Sequence, residues 1–221
     1  MSEAKFTAVL FDLDGTLLDT APDFAVVLNQ LRNKHNLPTL AYSDIRFQVS
    51  NGSKALIKMG FNIEESHPDF ESKRQALLDL YLKHLAVHTT LFPTLDELLL
   101  KLEQRRVPWA IVTNKPVQYA QPLLEQLSLS ERCASLICPD HVAERKPHPE
   151  SLFLACEQMQ VKPENCVYIG DHQRDIEAGI KAGMKTVSAA YGYIPIAEDC
   201  KSWGADWIVE DPAELDDILF T

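Results

Sequence analysis

The sequence predicts an α/β fold, namely a doubly wound parallel sheet that carries an inserted all-helical cap. Two observations lead to this prediction. Short apolar runs alternate with amphipathic helical segments along most of the chain, a pattern typical of parallel βαβ units. From residue 18 to residue 87 the alternation stops, and the pattern shows helices without a convincing strand. A helical insert directly after the first strand would lie over the strand ends, where it can cover a binding site.

Six apolar runs predict the strands of the core sheet, joined by right-handed crossovers. They occupy 6–11, 108–113, 134–138, 165–170, 186–190 and, as a short edge strand, 206–209. Helical patterns between them cover 94–104, 117–127, 149–159 and 175–182. In the first of these helices Leu95, Leu98, Leu99 and Leu102 share one face, which indicates an amphipathic helix packed on the sheet.

Four helices are expected in the insert. Pro22 suits the first turn of the first helix, because a helix leaves that backbone N–H unpaired in any case. The other three helices are predicted at 43–49, 53–59 and 68–85. The predicted division of the chain is therefore a core made of 1–17 and 88–221, and a helical cap domain at 18–87.

Composition narrows the possible functions. The chain has 221 residues and a net charge of −11, and no basic run could neutralise the phosphates of a nucleic acid. The N-terminal residues lack a signal peptide pattern, and no segment is long enough to span a bilayer. The five cysteines have no Cys-x-x-Cys spacing, so we expect them to be reduced. We expect a cytoplasmic protein that acts on a small molecule, without nucleic acid, membrane or redox partners.

Two carboxylates, Asp12 and Asp14, directly follow the first predicted strand. In open α/β sheets ligands bind at this end of the strands. The mutual repulsion of two close carboxylates is tolerable where a cation, or a proton shared with a substrate, separates them. The alternative is an Asx-type turn with Gly15 at its tip.

Three further segments place polar side chains where strands or loops end, at 113–116, 146–149 and 170–175. Together with the first segment they supply a carboxylate nucleophile and a second carboxyl group for proton transfer. They also supply oxygen ligands for Mg²⁺, with a lysine and a hydroxyl group for phosphate oxygens. The chemistry that needs this set is phosphoryl transfer through an aspartyl-phosphate.

These four segments, in this order and spacing, resemble the motifs of the haloacid dehalogenase superfamily of phosphatases. The matching residues are, in motif order, Asp12-Leu13-Asp14-Gly15-Thr16, Thr113-Asn114, Lys146, and Gly170-Asp171 with Asp175. The resemblance spans essentially the whole chain, and the insert matches the helical cap type. It implies a Rossmann-like core and Mg²⁺-dependent hydrolysis of a phosphate monoester. A dehalogenase of the same fold is expected to lack an acid at the position of Asp14, which therefore argues for phosphate chemistry.

The resemblance implies roles for the acidic residues. Asp12 is expected to be the nucleophile and Asp14 the general acid/base. Mg²⁺ is expected to bind the Asp12 side chain, the Asp14 backbone carbonyl and Asp171. A helix N-cap is the alternative for Asp171, and one residue can serve in both ways.

The resemblance also implies a phosphate site. Thr113 and the Asn114 amide are expected to bind phosphate, and Lys146 is expected to neutralise both Asp12 and the phosphate. Asp175 is expected to act through a metal-bound water or by orienting Lys146, rather than as a direct ligand. The alternative for Lys146 is a surface position beside a helix.

A cap must contact the part of the substrate that is not phosphate, and its central loop supplies the specificity candidates. These candidates are Arg46, Asn51, Gly52, Ser53 and Lys54, with ordinary helix ends as the alternative interpretation. His148 and His172 flank motif residues, and a packing or solvent-facing position is favoured for both. His88 and Trp203 receive no role.

Within the superfamily the chain is similar to the phosphoglycolate phosphatase group, notably in residues 11–22 and 191–193. The chain is more similar still to the bacterial N-acetylmuramic acid 6-phosphate phosphatases of peptidoglycan recycling, in segments 86–88, 136–142, 191–194 and 203–206. The cap departs from the phosphoglycolate pattern, because its central loop reads Val49-Ser50-Asn51-Gly52 and the insert is shorter. We therefore favour the amino-sugar phosphate as substrate, with 2-phosphoglycolate as the alternative. A phosphomutase and a phosphate-dependent binding protein of the same fold are further alternatives.

Overall fold

The computed structural model of the protein describes residues 4–195 and 199–220. Strands and helices alternate through the core as the sequence predicts, with four helices between the second and third strands. In chain order the elements are β1 (Ala8–Phe11), β2 (Leu18–Asp19), α1 (Ala21–Lys34), α2 (Tyr42–Arg46), α3 (Gly52–Phe61), α4 (Phe70–Lys83), β3 (Thr90–Leu91), α5 (Leu95–Gln104), β4 (Trp109–Val112), α6 (Val117–Gln126), β5 (Ser135–Ile137), α7 (Glu150–Met159), β6 (Cys166–Gly170), α8 (Gln173–Lys181), β7 (Lys185–Ala189), β8 (Trp207–Val209) and α9 (Leu215–Phe220).

A six-stranded sheet forms the centre of the core, with the strand order β5-β4-β1-β6-β7-β8. Every neighbouring pair is parallel. Because β1 lies between β4 and β6, the chain builds one half of the sheet on each side of β1. This doubly wound order confirms the predicted fold class, and β8 is the predicted edge strand. The carboxyl ends of β1, β4 and β6 therefore meet at the edge where α/β proteins bind ligands.

Alternate residues of β1 point into two separate apolar cores. Val9 and Phe11 join the larger core, which also contains residues of α1, α5 and α6. Ala8 and Leu10 join the smaller core on the other face, together with residues of α7 and α8. Side chains alternate between the faces of a strand, so a strand covered by helices on both sides needs an unbroken apolar run. This requirement explains why the run before Asp12 predicts a strand correctly.

Helices α1 to α4 form the helical insert, and packing among α1, α3 and α4 gives it an apolar interior. The rings of Phe24 on α1 and Tyr81 on α4 are stacked, with their centroids 3.9 Å apart. Helix α3 approaches α1 closely, since a Cβ atom at Gly60 would lie 2.8 Å from a methyl carbon of Leu28. No helix within the described ranges is both long and apolar enough to cross a membrane. The division into core and cap at the predicted boundaries stays a prediction.

The connections to the insert contain two short strands that the sequence analysis missed. Leu18–Asp19 pairs antiparallel with Thr90–Leu91, so the prediction of no strand between residues 18 and 87 is wrong at its first two residues. A two-residue ladder is shorter than the alternation that identifies a strand, and the sequence therefore has no signal for it. This ladder joins the segments that lead into and out of the insert.

The second predicted helix of the insert also ends earlier than expected. Residues 43–49 were expected to be helical, but α2 ends at Arg46, and a 3₁₀ turn at Val49–Asn51 precedes α3. Gly52 has φ 81°, a conformation that glycine adopts without steric cost, and it redirects the chain from this turn into α3. The turn thereby projects from the insert towards the core.

Two adjacent leucines on α5 test the packing of the larger core. Leu99 is fully buried, whereas Leu100 is 43% exposed. We predict that Leu99→Ala lowers the free energy of unfolding by about 2–5 kcal/mol, because it leaves a cavity in the core. Leu100→Ala, the matched control on the same helix, should cost less than about 1 kcal/mol. Urea unfolding of both variants is the measurement, and equal losses would contradict this packing.

Candidate active site

The sheet brings the predicted motif residues to one edge. Asp12 follows β1, Thr113 follows β4 and Asp171 follows β6. A cavity of about 440 Å³ opens at this edge, between the strand ends and the insert. The predicted site residues in its lining are Asp12, Asp14, Asn51, Gly52, Ser53, Lys54, Thr113, Asn114 and Lys146. Asp171 and Asp175 are buried beside Asp12, so the structure brings the four motifs together.

The Lys146 ammonium group lies at the centre of the buried polar contacts. Its Nζ atom is 2.8 Å from Asp12 Oδ1 and 2.7 Å from Asp175 Oδ1. It also donates to the carbonyl of Val112 at 2.8 Å and to the hydroxyl of Tyr168 at 2.6 Å. These four oxygen partners offset the loss of hydration that burial of an ammonium group entails. The contact between Asp175 and Lys146 fits the predicted role of Asp175 in orienting this lysine.

Three buried carboxylates surround this contact, and Asp12, Asp171 and Asp175 each place one oxygen within 4.8 Å of the others. Burial raises the pKa of Asp171 to about 8, and the charges of Asp12 and Asp175 add to the rise. Burial raises the pKa of Asp12 to about 6, although Lys146 lowers it. At Asp175 the effect of burial is outweighed by Lys146 and Arg174, which lower its pKa. Burial and mutual repulsion therefore favour the protonated forms of Asp12 and Asp171.

Glycines on two sides allow Asp171 to approach the first loop. Gly15 has φ 84°, and a Cβ atom there would overlap Asp171 Oδ2. A Cβ atom at Gly192 would overlap Asp171 Cβ and the carbonyl oxygen of Gly15. The Tyr193 N–H donates to Asp171 Oδ2 at 2.9 Å and holds the carboxylate in place. Any larger residue at either glycine would separate Asp171 from the first loop.

The donor set fits a hard divalent cation. The Ser50 hydroxyl donates to Asp171 Oδ2 at 3.0 Å and to the Asp14 carbonyl oxygen at 3.4 Å, so both oxygens face one common position. Asp12 adds a third oxygen close by. All three are hard oxygen ligands, and the raised pKa of Asp171 marks charge that a cation would compensate.

Asp14 has its own cation, which the sequence analysis missed. Lys115 Nζ lies 2.8 Å from Asp14 Oδ1, and the Thr20 hydroxyl donates to the same oxygen at 2.6 Å. Lys115 is buried, with Nζ 5.0 Å from the ring centroid of Phe24 and 4.7 Å from that of Tyr81. Burial alone would lower the pKa of Lys115, but the opposite effect of Asp14 and Tyr81 is larger, so the pKa is raised overall. Lys115 could have been selected from the sequence, because it lies beside Asn114 in a segment already chosen for its polar residues.

The predicted phosphate-binding residues are fixed by the loop after β4. The Thr113 hydroxyl accepts from the Lys115 N–H at 3.1 Å, which shapes the loop as a tight turn. The Asn114 side-chain amide donates to the carbonyl oxygen of Lys146 at 3.1 Å. The side chain of Asn114 thus positions Lys146, and the roles of Thr113 and Asn114 towards phosphate stay predictions.

The cap candidates fall into two groups. Asn51, Gly52, Ser53 and Lys54 line the cavity. Arg46 is directed elsewhere, since it donates to the Tyr191 carbonyl at 2.9 Å and lies 4.8 Å from the ring centroid of Tyr193. Its contacts hold the insert against the core.

Ser50 was not among the candidates, although it contacts the acidic cluster directly. Besides its bonds to Asp171 and Asp14, its carbonyl oxygen accepts a hydrogen bond from Arg174 on α8. The 3₁₀ turn that carries Ser50 has no strong sequence signature, and its contacts join residues more than thirty positions apart. Sequence periodicity therefore gave no reason to select it.

Neither flanking histidine enters the cavity lining. His172 caps α8, because its Nδ1 atom accepts from the Arg174 N–H at 3.2 Å. Burial lowers the pKa of His172 to about 4, and the charge of Arg174 adds to this. His148 is exposed, and its Nε2 atom lies 3.1 Å from Glu144 Oε2.

Comparison with known proteins gives a consistent result. The family model described as haloacid dehalogenase-like hydrolase matches residues 9–189. The N-acetylmuramic acid 6-phosphate phosphatase of Pseudomonas aeruginosa is 44% identical over 219 residues, covering 99% of this chain and 97% of the relative. A phosphoglycolate phosphatase of Xanthomonas campestris pv. campestris is 43% identical, with 94% of each chain covered. A crystal structure described as a predicted phosphoglycolate phosphatase from Haemophilus somnus has a TM-score of 0.85 at 28% identity, covering 97% of this chain and 98% of that one.

The raised pKa values of the acidic cluster predict how stability depends on pH. Asp12 and Asp171 titrate above the unfolded value of about 3.9, so the folded protein binds more protons than the unfolded chain between about pH 4 and pH 8. Stability of the metal-free protein should therefore fall as the pH rises through this window. The lowered pKa of Asp175 acts in the opposite sense, and only below about pH 4. Mg²⁺ should raise Tm more at about pH 8 than at about pH 5.5, because it compensates the ionised carboxylates.

Calorimetry with EDTA and with Mg²⁺ across this pH range is the measurement. Asp171→Asn should flatten the pH dependence of the metal-free protein. The matched control is Asp216→Asn, which alters an exposed carboxylate paired with Lys101 and should leave the dependence unchanged. A Mg²⁺ effect of the same size at both pH values would contradict the assignment of the cation to this cluster.

Proposed function

The chain belongs to the haloacid dehalogenase-like hydrolases, and we propose that it hydrolyses phosphate monoesters through an aspartyl-phosphate on Asp12. One observation carries this proposal. The Asp12 carboxylate, buried at the end of β1, meets the cavity with Lys146 bonded to one oxygen and with Asp14 two residues away. A nucleophile and a second carboxyl group thus face the same space, which is the arrangement that two-step phosphoryl transfer needs.

Each residue contributes to a separate part of the reaction. Asp12 attacks phosphorus, while Asp14 gives a proton to the leaving alkoxide and later takes one from the attacking water. Lys146 offsets the charge of Asp12 and of the phosphate, and Asp175 holds Lys146 in position. Thr113 and Asn114 bind the phosphate oxygens from the loop after β4.

We propose that Mg²⁺ is the cofactor, held by the Asp12 and Asp171 carboxylates and the Asp14 carbonyl oxygen. When bound, it supplies charge neutralisation that allows a phosphate dianion to approach a carboxylate nucleophile. The crowded oxygens around Asp171 support this assignment, because the cluster lacks enough positive charge of its own.

The proposed substrate is N-acetylmuramic acid 6-phosphate, with 2-phosphoglycolate as the alternative. The P. aeruginosa relative, at 44% identity, supports the first and the X. campestris relative, at 43%, supports the second. Both substrates carry a carboxylate besides the phosphate. The cavity lining contains three cationic side chains that suit a second anion, namely Lys54, Arg74 and Arg145. The volume of about 440 Å³ favours the larger amino sugar.

A cytoplasmic location is also part of the proposal. All five cysteines are free thiols, which supports a reducing compartment.

Side-by-side measurement of kcat/KM for the two substrates with Mg²⁺ tests the function. We expect a preference for N-acetylmuramic acid 6-phosphate, and a loss of at least about 10³-fold in Asp12→Asn, because the nucleophile is removed. A preference for 2-phosphoglycolate would reverse the substrate assignment and leave the chemistry unchanged. Binding of phosphate esters without turnover by folded protein would favour a binding protein, and transfer to a second hydroxyl would favour a phosphomutase.

A pair of lysines on α3 tests the role of the cap. Both lysines are paired with a glutamate, Lys54 with Glu65 at 2.5 Å and Lys58, one turn later, with Glu64 at 2.9 Å. Lys54 lines the cavity, whereas Lys58 lies outside the lining. We predict that Lys54→Met lowers kcat/KM for N-acetylmuramic acid 6-phosphate about fivefold, since an exposed ion pair contributes about 1 kcal/mol. N-acetylglucosamine 6-phosphate, which lacks the carboxylate, should be affected less. Lys58→Met is the control, and equal effects of both variants would remove Lys54 from substrate recognition.

A further inference from the structure

A second cluster of potential metal ligands lies outside the active-site cavity. Asp23, His84 and His88 each place one ligand atom within 4.8 Å of the others. Asp23 lies in the first turn of α1, His84 follows the last residue of α4, and His88 precedes β3 by two positions. None of the three lines the active-site cavity, so the cluster is separate from the site described above.

The backbone around the cluster is fixed by Asp23, which is fully buried. Asp23 Oδ1 accepts from the His88 N–H at 2.8 Å, and Oδ2 accepts from the Thr89 N–H at 3.1 Å and the Thr89 hydroxyl at 2.6 Å. Ala86, at φ 57°, turns the chain between the two histidines. The carboxylate thus holds the segment that returns from the insert and keeps both imidazoles close to it.

The side chains leave donor positions that these bonds do not use. His84 Nε2 is buried and lies 3.5 Å from Asp23 Oδ1, and it has no hydrogen-bond partner among the described residues. A carboxylate oxygen has two lone pairs, and Oδ1 accepts only one of the hydrogen bonds above. The His88 side chain is exposed and its ring centroid lies 5.6 Å from that of His84. The two imidazole rings and the Asp23 carboxylate therefore surround a common position, and the three side chains make no hydrogen bond with one another.

We propose that Asp23, His84 and His88 form a binding site for Zn²⁺ at the base of the helical insert. Two histidines and one carboxylate are a common ligand set for zinc, with the fourth position open to water. Imidazole nitrogens select zinc over Mg²⁺, so the ion for this site differs from the one proposed for the active site. In tetrahedral zinc sites neighbouring ligand atoms lie about 3.4 Å apart, and the exposed His88 side chain can close the remaining gap.

Zinc at this position ties together the two connections of the insert. Asp23 belongs to the helix that leads into it, whereas both histidines lie on the segment that leads out of it. The β2–β3 ladder joins the same two connections with only two residue pairs. The metal therefore reinforces the hinge between the insert and the core, and its effect is expected on stability whichever phosphate ester the enzyme hydrolyses.

Calorimetric titration with Zn²⁺ tests the proposal in the presence of excess Mg²⁺, which competes for the active-site carboxylates proposed to bind it. We expect one zinc ion per chain and a higher Tm on binding. The double variant His84→Gln, His88→Gln should bind zinc more than about 100-fold more weakly, because loss of direct ligands exceeds the effect known for outer partners. The same number of histidines is removed in the control His35→Gln, His67→Gln, both of which are exposed.

Zinc binding and a Tm increase that persist in the control and disappear in the His84, His88 variant would support the site. Equal zinc affinity of the two double variants, or no zinc binding by the unaltered protein, would overturn it. His88→Gln alone, whose side chain is exposed, provides the same comparison if the double variant does not fold. Because the readouts are heat and Tm, failure of the proposed phosphatase activity would not affect the outcome.

Discussion

The burial of one ammonium group among carboxylates is the constraint on which the rest of the site depends. Lys146 remains buried only because Asp12, Asp175, the Val112 carbonyl and the Tyr168 hydroxyl surround it. A buried charge without such partners is strongly destabilising. The parallel sheet supplies three of these partners from β1, β4 and β6, and α8 supplies Asp175, so the order of the strands and the chemistry of the site have the same origin.

The insert is connected to this site through a few polar contacts rather than through the apolar core alone. Ser50 donates to Asp171 and to the Asp14 carbonyl oxygen, and Arg46 donates to the Tyr191 carbonyl. The oxygens that Ser50 contacts are those proposed to hold the cation. Because a hydroxyl group and a cation compete for the same oxygens, the position of the Val49–Asn51 turn and cation binding are expected to influence each other.

Local signals were sufficient for the sheet and for the motif positions. The apolar run before Asp12 and the polar segments after the other strands place these residues at one edge once the strands are known to be parallel. The missed residues depend on contacts between distant segments. Ser50 meets Asp171 across 121 positions, and Lys115 meets Asp14 across 101. The β2–β3 ladder was missed because two residues show no periodicity.

The repulsion between the Asp12 and Asp14 carboxylates in the first loop is offset by two buried lysines. The sequence suggested a cation or a shared proton between Asp12 and Asp14, yet each carboxylate has its own ammonium partner, Lys146 and Lys115. At Asp171, burial beside Asp12 and Asp175 raises the pKa, so ionisation of this carboxyl group is unfavourable without a further positive charge. Ionised carboxylates at this position would repel a phosphate dianion. A divalent cation there would instead stabilise both the ionised carboxylates and the phosphate. The proposed Mg²⁺ is therefore supported by the fourth motif rather than by the first.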